Sequence, residues 1–426
     1  MSDPADFNTG TPPTTPPAPG AAEFVAGILQ ATLNTRKVQG IVTLAWSGPQ
    51  IDAYYISLGL GEKPENVEVL SGALALAAGA ESCRIGRAAG KLLLEVPKAP
   101  DQRKPLLAGR LETLAPATST SVCLGITTGG TPVWADLAEE RFAHIIWGGT
   151  TGSGKSVNLR WLLYRLIIQN PTESLRLLMI DPKRFELKQF AKVPHLLHPI
   201  TSNPAQVARV LSWVNGELGR RADSGRVRPR IVVVIEEVAD LAQTNREVLP
   251  LMARIAQIGR ALNINLLATT QTPGAKVLGS AVANFPTRIV GRIASSTLAY
   301  GASGRARTGA DALLGKGDLL MVSAGETVRF QAPLPDGRQW ARLPHTATPA
   351  SLDDQLPTLV QFADLNRDPR GGHTRREIGE DDYRDIQRAL AGGATVRQIM
   401  ERFSIGYDRA QRIYAAYIEN LHEAER

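Results

Sequence analysis

Residues 149–156 read Gly-Thr-Thr-Gly-Ser-Gly-Lys-Ser, directly after the apolar run "HIIWG" and before a stretch with helical periodicity. A strand that breaks into G-x-x-x-x-G-K-[ST] and continues as a helix restricts the chain to an α/β layout. The glycines let successive backbone N–H groups curl around an anion at the positive end of the helix. In such a loop Gly149, Thr150, Thr151, Gly152, Ser153 and Gly154 cradle phosphates. Lys155 balances the β- and γ-phosphate charge and Ser156 offers a hydroxyl to Mg²⁺, so the pattern predicts ATP and Mg²⁺ as cofactors. The competing reading, a chance glycine-rich turn, is disfavoured by the strand and helix that flank it.

From about 119 to 335, runs such as "AHIIWGG", "LRLLMIDP", "RIVVVIEE" and "INLLATTQ" alternate with amphipathic stretches, which predicts a parallel sheet covered by helices on both faces. "IVVVIEE" ends a buried strand in two carboxylates. Glu236 at that strand end is expected near Mg²⁺ and its water, and Glu237 is expected to take a proton from the attacking water. Without the phosphate loop, the preferred reading would be that both glutamates cap the following helix. The third strand ends in Thr269, Thr270 and Gln271, where Gln271 is the candidate γ-phosphate sensor and an ordinary polar strand end is the alternative.

The whole chain, 426 residues, has room for two or three domains. Residues 1–22, with Pro12, Pro13, Pro16, Pro17 and Pro19, cannot bury enough apolar area to fold and read as a disordered tail. Residues 24–100 read as a small α+β domain, from the alternating segments "IDAYYISLGL" and "KLLLEVPK". The most apolar run, Val69–Ala80, is far shorter than the ~20 residues of a spanning helix and reads as a buried helix. Residues 364–378 read as a linker and 379–426 as a helical unit. The amino-terminal start lacks the basic and apolar regions of a secretory signal, which predicts a cytoplasmic location with no membrane span. Cys83 and Cys123 have no metal spacing and read as small core residues in a reducing compartment. A formal charge of +7 favours an anionic partner.

Several ordered motifs resemble the FtsK/SpoIIIE family of hexameric DNA translocases, over about 40 to 417. They are "GTPVWADL", "HIIWGGTTGSGKS", "MIDPKRFEL", "VPHLL", "EEVADL", "ARIAQIGRALNINLLATTQTP", "FPTRIVGRI" and "ALLGKGDLLM". The resemblance implies a RecA-like P-loop NTPase core and a homo-oligomer, a hexameric ring around double-stranded DNA that ATP drives along it. It implies further that Glu237 is the catalytic carboxylate, Gln271 the sensor, and Arg288 of "PTRI" the finger completing a neighbour's ATP site, with a surface role as the alternative. Asp181 and Lys183 of "IDPK" would support the metal site or an inter-subunit contact. Arg254 and Arg260 would meet DNA phosphates without reading sequence, unless they simply form a solvated helix face.

"TVRQIMERFSIGYDRAQRIYAAYI" has a helix-turn-helix pattern around Gly406. It resembles the family's winged-helix γ domain, with Arg409 and Arg412 facing the major groove and the β-wing missing or rudimentary. The alternative is a three-helix unit packed on the motor. Other departures are the absent amino-terminal spans, a shorter segment before the carboxylate strand, and "SSTLAYGASGRARTG" in place of an Asp-Ser-Arg element. Glu236 stands where most members carry Asp. The leading expectation is an ATP-driven motor in chromosome or replicon partition. The alternatives are a phage, plasmid or conjugative-element motor, and a DNA-binding ATP switch that does not translocate.

Overall fold

A computed structural model describes residues 20–356, apart from Ala89, Arg246, residues 272–277, Arg307 and Pro349, and then residues 385, 386, 389, 390, 395–403 and 413. The chain separates into two units, Met1–Asp354 and Gln355–Arg426.

The first unit begins with helix α1 (Ala21–Thr35), whose Leu29 and Leu33, one turn apart, are fully buried. They cover an antiparallel sheet of β1 (Gly40–Ser47), β2 (Ile51–Leu58), β3 (Arg84–Ala88) and β4 (Lys91–Pro97), in the order β1-β2-β4-β3. Alternation on β4 puts Leu92, Leu94 and Val96 into that core and turns Glu95 to the opposite face. Between β2 and β3 lie the short helices α2 (Pro64–Glu68) and α3 (Ser71–Ala77). This corrects the expectation of a buried helix over Val69–Ala80. The helix spans seven residues with only Leu74 and Ala75 inward, while Leu76 is 81% exposed. Its partner sheet covers one face, and composition carries no information about which face.

The segment after β4 includes the two-residue β5 (Leu106–Leu107) and α4 (Gly109–Glu112). The main sheet follows, with β6 (Ser121–Thr127), β7 (Pro132–Asp136), β8 (His144–Gly148), β9 (Leu175–Ile180), β10 (Arg230–Ile235), β11 (Ile264–Thr270), β12 (Thr287–Val290), β13 (Asp318–Ser323) and β14 (Glu326–Gln331). Its order is β7-β6-β14-β13-β12-β8-β11-β10-β9. The stretch β12-β8-β11-β10-β9 is parallel, and its crossovers are α5 (Lys155–Gln169), α6 (Pro204–Ser224), and α7 (Val238–Thr244) with α8 (Val248–Ile258). Such strands are apolar on both faces because helices cover both, as in the fully buried "IVVVI" of β10.

The sheet departs from the all-parallel expectation beyond β12, where β13, β14, β6 and β7 run antiparallel. The β13–β14 hairpin turns through Ala324 and Gly325, both with positive φ (47° and 82°), the backbone of a two-residue primed turn. "SAGE" lacks the Asn-Gly signal that would have marked it. Beyond β14, β15 (Pro333–Leu334) pairs with β5. Trp147 Nε1 donates to Asn158 Oδ1 at 2.9 Å and Trp161 Nε1 to the Cys123 carbonyl at 2.7 Å, which pins α5 to the sheet. Cys123 is buried and Cys83 half-buried, both as free thiols.

In the second unit, α9 (Val396–Phe403) starts with a reciprocal cap. Gln398 Oε1 accepts from Thr395 N–H at 2.8 Å, and Thr395 Oγ1 accepts from Gln398 N–H at 3.4 Å. Ile399 and Phe403 are buried. Arg409 and Arg412 lie outside the described residues, as do the linker 364–378 and most of the amino-terminal tail. Among the described residues no helix is long and apolar enough to cross a membrane.

Candidate nucleotide-binding site

Strand register decides what meets at the carboxyl end of the parallel sheet. Ile235 pairs with Ile180 on one side and Ala268 on the other, while Thr269 and Thr270 pair with Trp147 and Gly148. One residue further along each chain therefore brings Glu236, Asp181, Gln271 and Gly149 to a single sheet edge, the usual ligand side of an open α/β sheet.

The loop from Gly149 to Gly154 is held from outside. Gly149 N–H donates to the Thr270 carbonyl at 3.3 Å, and Thr150 N–H and Oγ1 donate to the Arg292 carbonyl at 2.9 and 3.0 Å. Gly154, at φ 101°, precedes α5 in left-handed conformation, and a Cβ there would lie 2.4 Å from Gly317 N. Glycine is required on both counts. Lys155 is buried and lines a cavity of about 660 Å³ with Thr151, Gly152, Gly154, Ser156, Glu236, Glu237 and Gln271. Gly149, Thr150 and Ser153 do not line it, and Gly149 and Ser153 are buried beside Gly291. An anion in the cavity meets a helix N-terminus and an ammonium together.

The two glutamates are held differently. Glu236 Oε1 accepts from Ser156 Oγ at 2.5 Å and its Oε2 accepts from Thr269 Oγ1. Burial raises its pKa above the ordinary carboxylate value, and these two hydroxyl bonds only partly offset that. Glu237 has φ 54° and ψ 65°, the left-handed region that a side chain rarely adopts. Its N–H donates to Thr269 Oγ1 at 3.0 Å, and its Oε1 accepts from Gln271 N–H at 3.0 Å and Thr270 Oγ1 at 3.3 Å. Although Glu237 occupies the N-cap position of α7, its side chain makes no capping bond. The helix-cap alternative therefore does not describe this pair.

Gln271 lines the cavity and its Oε1 accepts from Thr151 Oγ1 at 3.3 Å. Asp181 is buried outside the cavity, where it accepts from Lys183 and Leu187 N–H at 3.2 and 2.9 Å and shapes the turn after β9. Lys183 does line the cavity and pairs with Asp240 at 2.9 Å, the main reason its pKa is raised. Arg288 is half-buried on β12 rather than free on the surface. Its Nη2 donates to the Val282 carbonyl at 3.2 Å, its guanidinium packs under Gly304, and it does not line this cavity. Arg254 is exposed on α8, and Arg260 is tied to Glu140 at 3.0 Å.

Five contributing residues are not among the candidates the sequence offers. Thr269, which the strand end offers only alongside the sensor candidate Gln271, bonds both glutamates, donating to Glu236 Oε2 and accepting from Glu237 N–H. Lys316 and Gly317 of "LLGKGDLL" wall the cavity, with Lys316 in left-handed conformation at φ 52°; the two glycines flanking a lysine were the available signal. Arg103 and Lys104, after the amino-terminal sheet, also line it and sit in no motif.

Ser156 and Glu236 are an oxygen-only pair, the donor chemistry Mg²⁺ prefers when phosphates and water supply its other ligands. Among the described residues no group of three or more His, Cys, Asp or Glu is placed to hold a metal ion by itself.

Residues 113–226 match the FtsK/SpoIIIE family and residues 13–98 match the FtsK alpha domain. The chain is 28% identical to the DNA translocase FtsK of Caulobacter vibrioides, over 90% of this chain and 54% of that protein. It is 30% identical to the DNA translocase SftA of Bacillus subtilis, over 91% and 43%, and 31% identical to FtsK of Lactiplantibacillus plantarum, over 90% and 52%. The chain thus spans about half the length of the curated relatives it matches. Among solved structures, the pCW3 conjugation coupling protein TcpA, in monomer form with ATPγS, superposes with a TM-score of 0.51 at 22% identity, over 74% of this chain and 96% of that one. EssC (ATPases 2 and 3) from Geobacillus thermodenitrificans does so with 0.52 at 17% identity, over 65% and 58%. These likenesses establish a mixed α/β fold of P-loop ATPase type. Both family matches fall in chain order and the relatives align over nine-tenths of this chain, which places residues 113–226 with the FtsK/SpoIIIE family and residues 13–98 with the FtsK alpha domain.

Proposed function

We propose that this chain is an ATP-driven double-stranded DNA translocase of the FtsK/SpoIIIE type, serving chromosome or replicon segregation. The observation that carries the reading is the meeting of a phosphate loop with Glu237, whose carboxylate is oriented by the Gln271 N–H and Thr270 from the next strand.

In this reading Lys155 and the loop N–H groups bind the ATP phosphates, and Ser156 and Glu236 hold Mg²⁺. The ion held by these two residues would supply positive charge against that of the phosphates. Glu237 takes the proton of the attacking water, and Gln271, bonded to Thr151, orients that water. Arg288 acts on a neighbouring subunit of a hexameric ring, a role that requires it to leave the Val282 carbonyl. Arg254 and Arg260 bind DNA phosphates, Arg260 exchanging Glu140 for them. Residues 24–100 form the small α+β domain, 119–335 a RecA-like motor, and 379–426, after the linker 364–378, a winged-helix-like unit presenting Arg409 and Arg412 to base edges.

The test is displacement of a third strand from a duplex track. Wild-type protein with ATP displaces it, and Lys155→Ala neither displaces it nor hydrolyses ATP. DNA-stimulated hydrolysis without displacement would replace the motor with a DNA-binding switch, and wild-type hydrolysis by Lys155→Ala would refute the site.

A further inference from the structure

Glu95 faces away from the amino-terminal core and is 1% exposed. Its Oε1 accepts from Thr128 Oγ1 at 2.6 Å, and its Oε2 accepts from Arg329 Nη1 at 2.8 Å and Arg84 Nη1 at 3.0 Å. Arg329, on β14, turns its remaining nitrogens to Asp318 at the head of β13, Nε to Oδ1 at 2.8 Å and Nη2 to Oδ2 at 2.7 Å. A two-pronged pair of this kind fixes the plane as well as the position of the carboxylate. Asp318 Oδ2 in turn accepts the Leu314 N–H at 2.8 Å, so the guanidinium determines where the 314–317 loop lies. Gln331 Nε2 reinforces it by donating to the Lys316 carbonyl at 3.1 Å.

The same loop grips the phosphate loop. Lys316 N–H donates to the Gly152 carbonyl at 3.0 Å and Gly317 N–H to the Ser153 carbonyl at 2.9 Å. A peptide is planar and trans, so tying the Ser153 carbonyl to Gly317 turns the Gly154 N–H to the opposite side. A continuous series of bonded groups therefore runs from β4 of the amino-terminal sheet to the loop that forms the anion cradle.

We propose that Glu95, Arg329 and Asp318 are positioning residues for the nucleotide. They set the phosphate loop from outside the cavity, and through Glu95 they make ATP affinity depend on the placement of the amino-terminal sheet. The proposal rests on the reading of the cavity as an ATP site. None of the three lines that cavity, so their effect travels through the 314–317 loop. An ion cluster with only a structural role would alter stability alone; a positioning cluster alters ATP binding in protein that is still folded.

The experiment measures ATP KM and kcat, together with the Kd of a fluorescent ATP analogue, on the full chain. The variants are Glu95→Gln, Thr128→Val, Glu217→Gln and Lys155→Ala. Glu217 pairs with Arg221 at 2.6 Å in a second buried ion pair, on α6, and controls for loss of a buried charge. Glu95→Gln is expected to raise KM and Kd about tenfold, and Thr128→Val to raise them about threefold, while Glu217→Gln leaves both at the wild-type value. Thr128→Val removes one hydrogen bond to Glu95 and keeps a folded protein to measure should Glu95→Gln fail to fold. Wild-type KM and Kd in Thr128→Val and in any folded Glu95→Gln, or an equal rise in Glu217→Gln, overturns the proposal. If Lys155→Ala binds the analogue as wild type does, the underlying ATP reading fails instead.

Discussion

Among the buried carboxylates of the described residues, the pairs Glu95–Asp318 and Glu236–Glu237 are treated in opposite ways. Glu95 and Asp318 share the guanidinium of Arg329, with Arg84 alongside, so each of the four carboxylate oxygens accepts a bond from a cation or a hydroxyl. Burial works against the ionised form of Glu95, yet Arg329 and Arg84 hold its pKa below the ordinary value. The Arg329 guanidinium is correspondingly held more firmly protonated, Asp318 and Glu95 outweighing the opposing effect of burial. Glu236 and Glu237 are nearly as buried, at 5% exposed each, but hydroxyls and one backbone N–H are their bonded partners. Burial then leaves Glu236 with a raised pKa. A compensated buried pair is a fastening, whereas an uncompensated one is a site prepared for a cation that arrives with its ligand.

Substitutions can break that contrast. The largest effect is expected for Glu237→Gln, which should lower kcat by roughly a hundredfold to ten-thousandfold, the range of a general base, while a fluorescent ATP analogue still binds. Turnover at the wild-type rate would remove Glu237 from the chemistry. Next, Arg329→Met strands two buried carboxylates and should cost roughly 3–5 kcal/mol in denaturant unfolding. A cost near zero would mean that the two acidic pairs do not differ in kind. The smallest effect is expected for Glu236→Gln without ligand, within about 1 kcal/mol of wild type, because the replaced group is already disfavoured as an anion.

Acid unfolding sharpens the comparison through its sign. The raised pKa of Glu236 means that the folded state keeps its proton longer than the unfolded chain does. Its contribution is therefore greatest below the ordinary glutamate pKa and declines as pH climbs to the raised value. Glu95, with a lowered pKa, contributes above the ordinary value, and that stability is lost as pH falls through the lowered one. On acidification wild type should gain on Glu236→Gln and lose its advantage over Glu95→Gln. Parallel trends for the two variants would contradict the distinction.

Much of the layout is legible in the sequence. The four apolar runs that suggested parallel strands correspond to β8, β9, β10 and β11, because a strand buried on both faces has to be apolar at nearly every position. The phosphate loop was readable because its requirements are local: two glycines, a lysine and a hydroxyl within eight residues. The antiparallel half of the sheet was not, since its hairpin uses Ala324-Gly325 instead of a recognisable turn pair. Val69–Ala80 misled for the opposite reason, as an apolar composition concealed a helix that buries one side only.

The sequence by itself determined the local chemistry: an anion-binding turn at a helix start, a buried strand ending in two acids, and motifs in an order that points to one family. Tertiary structure alone decided how those acids differ. Thr269 and Gln271 meet Glu236 and Glu237 across strands separated by 33 and 34 positions. Glu95 and Arg329 meet across 234. No spacing in the chain encodes such a pairing, because hydrogen bonds and Coulomb attraction act over a few ångströms of space; strand pairing within the main sheet brings the first groups within that reach, and the contact between β4 and β14 of different sheets brings the second.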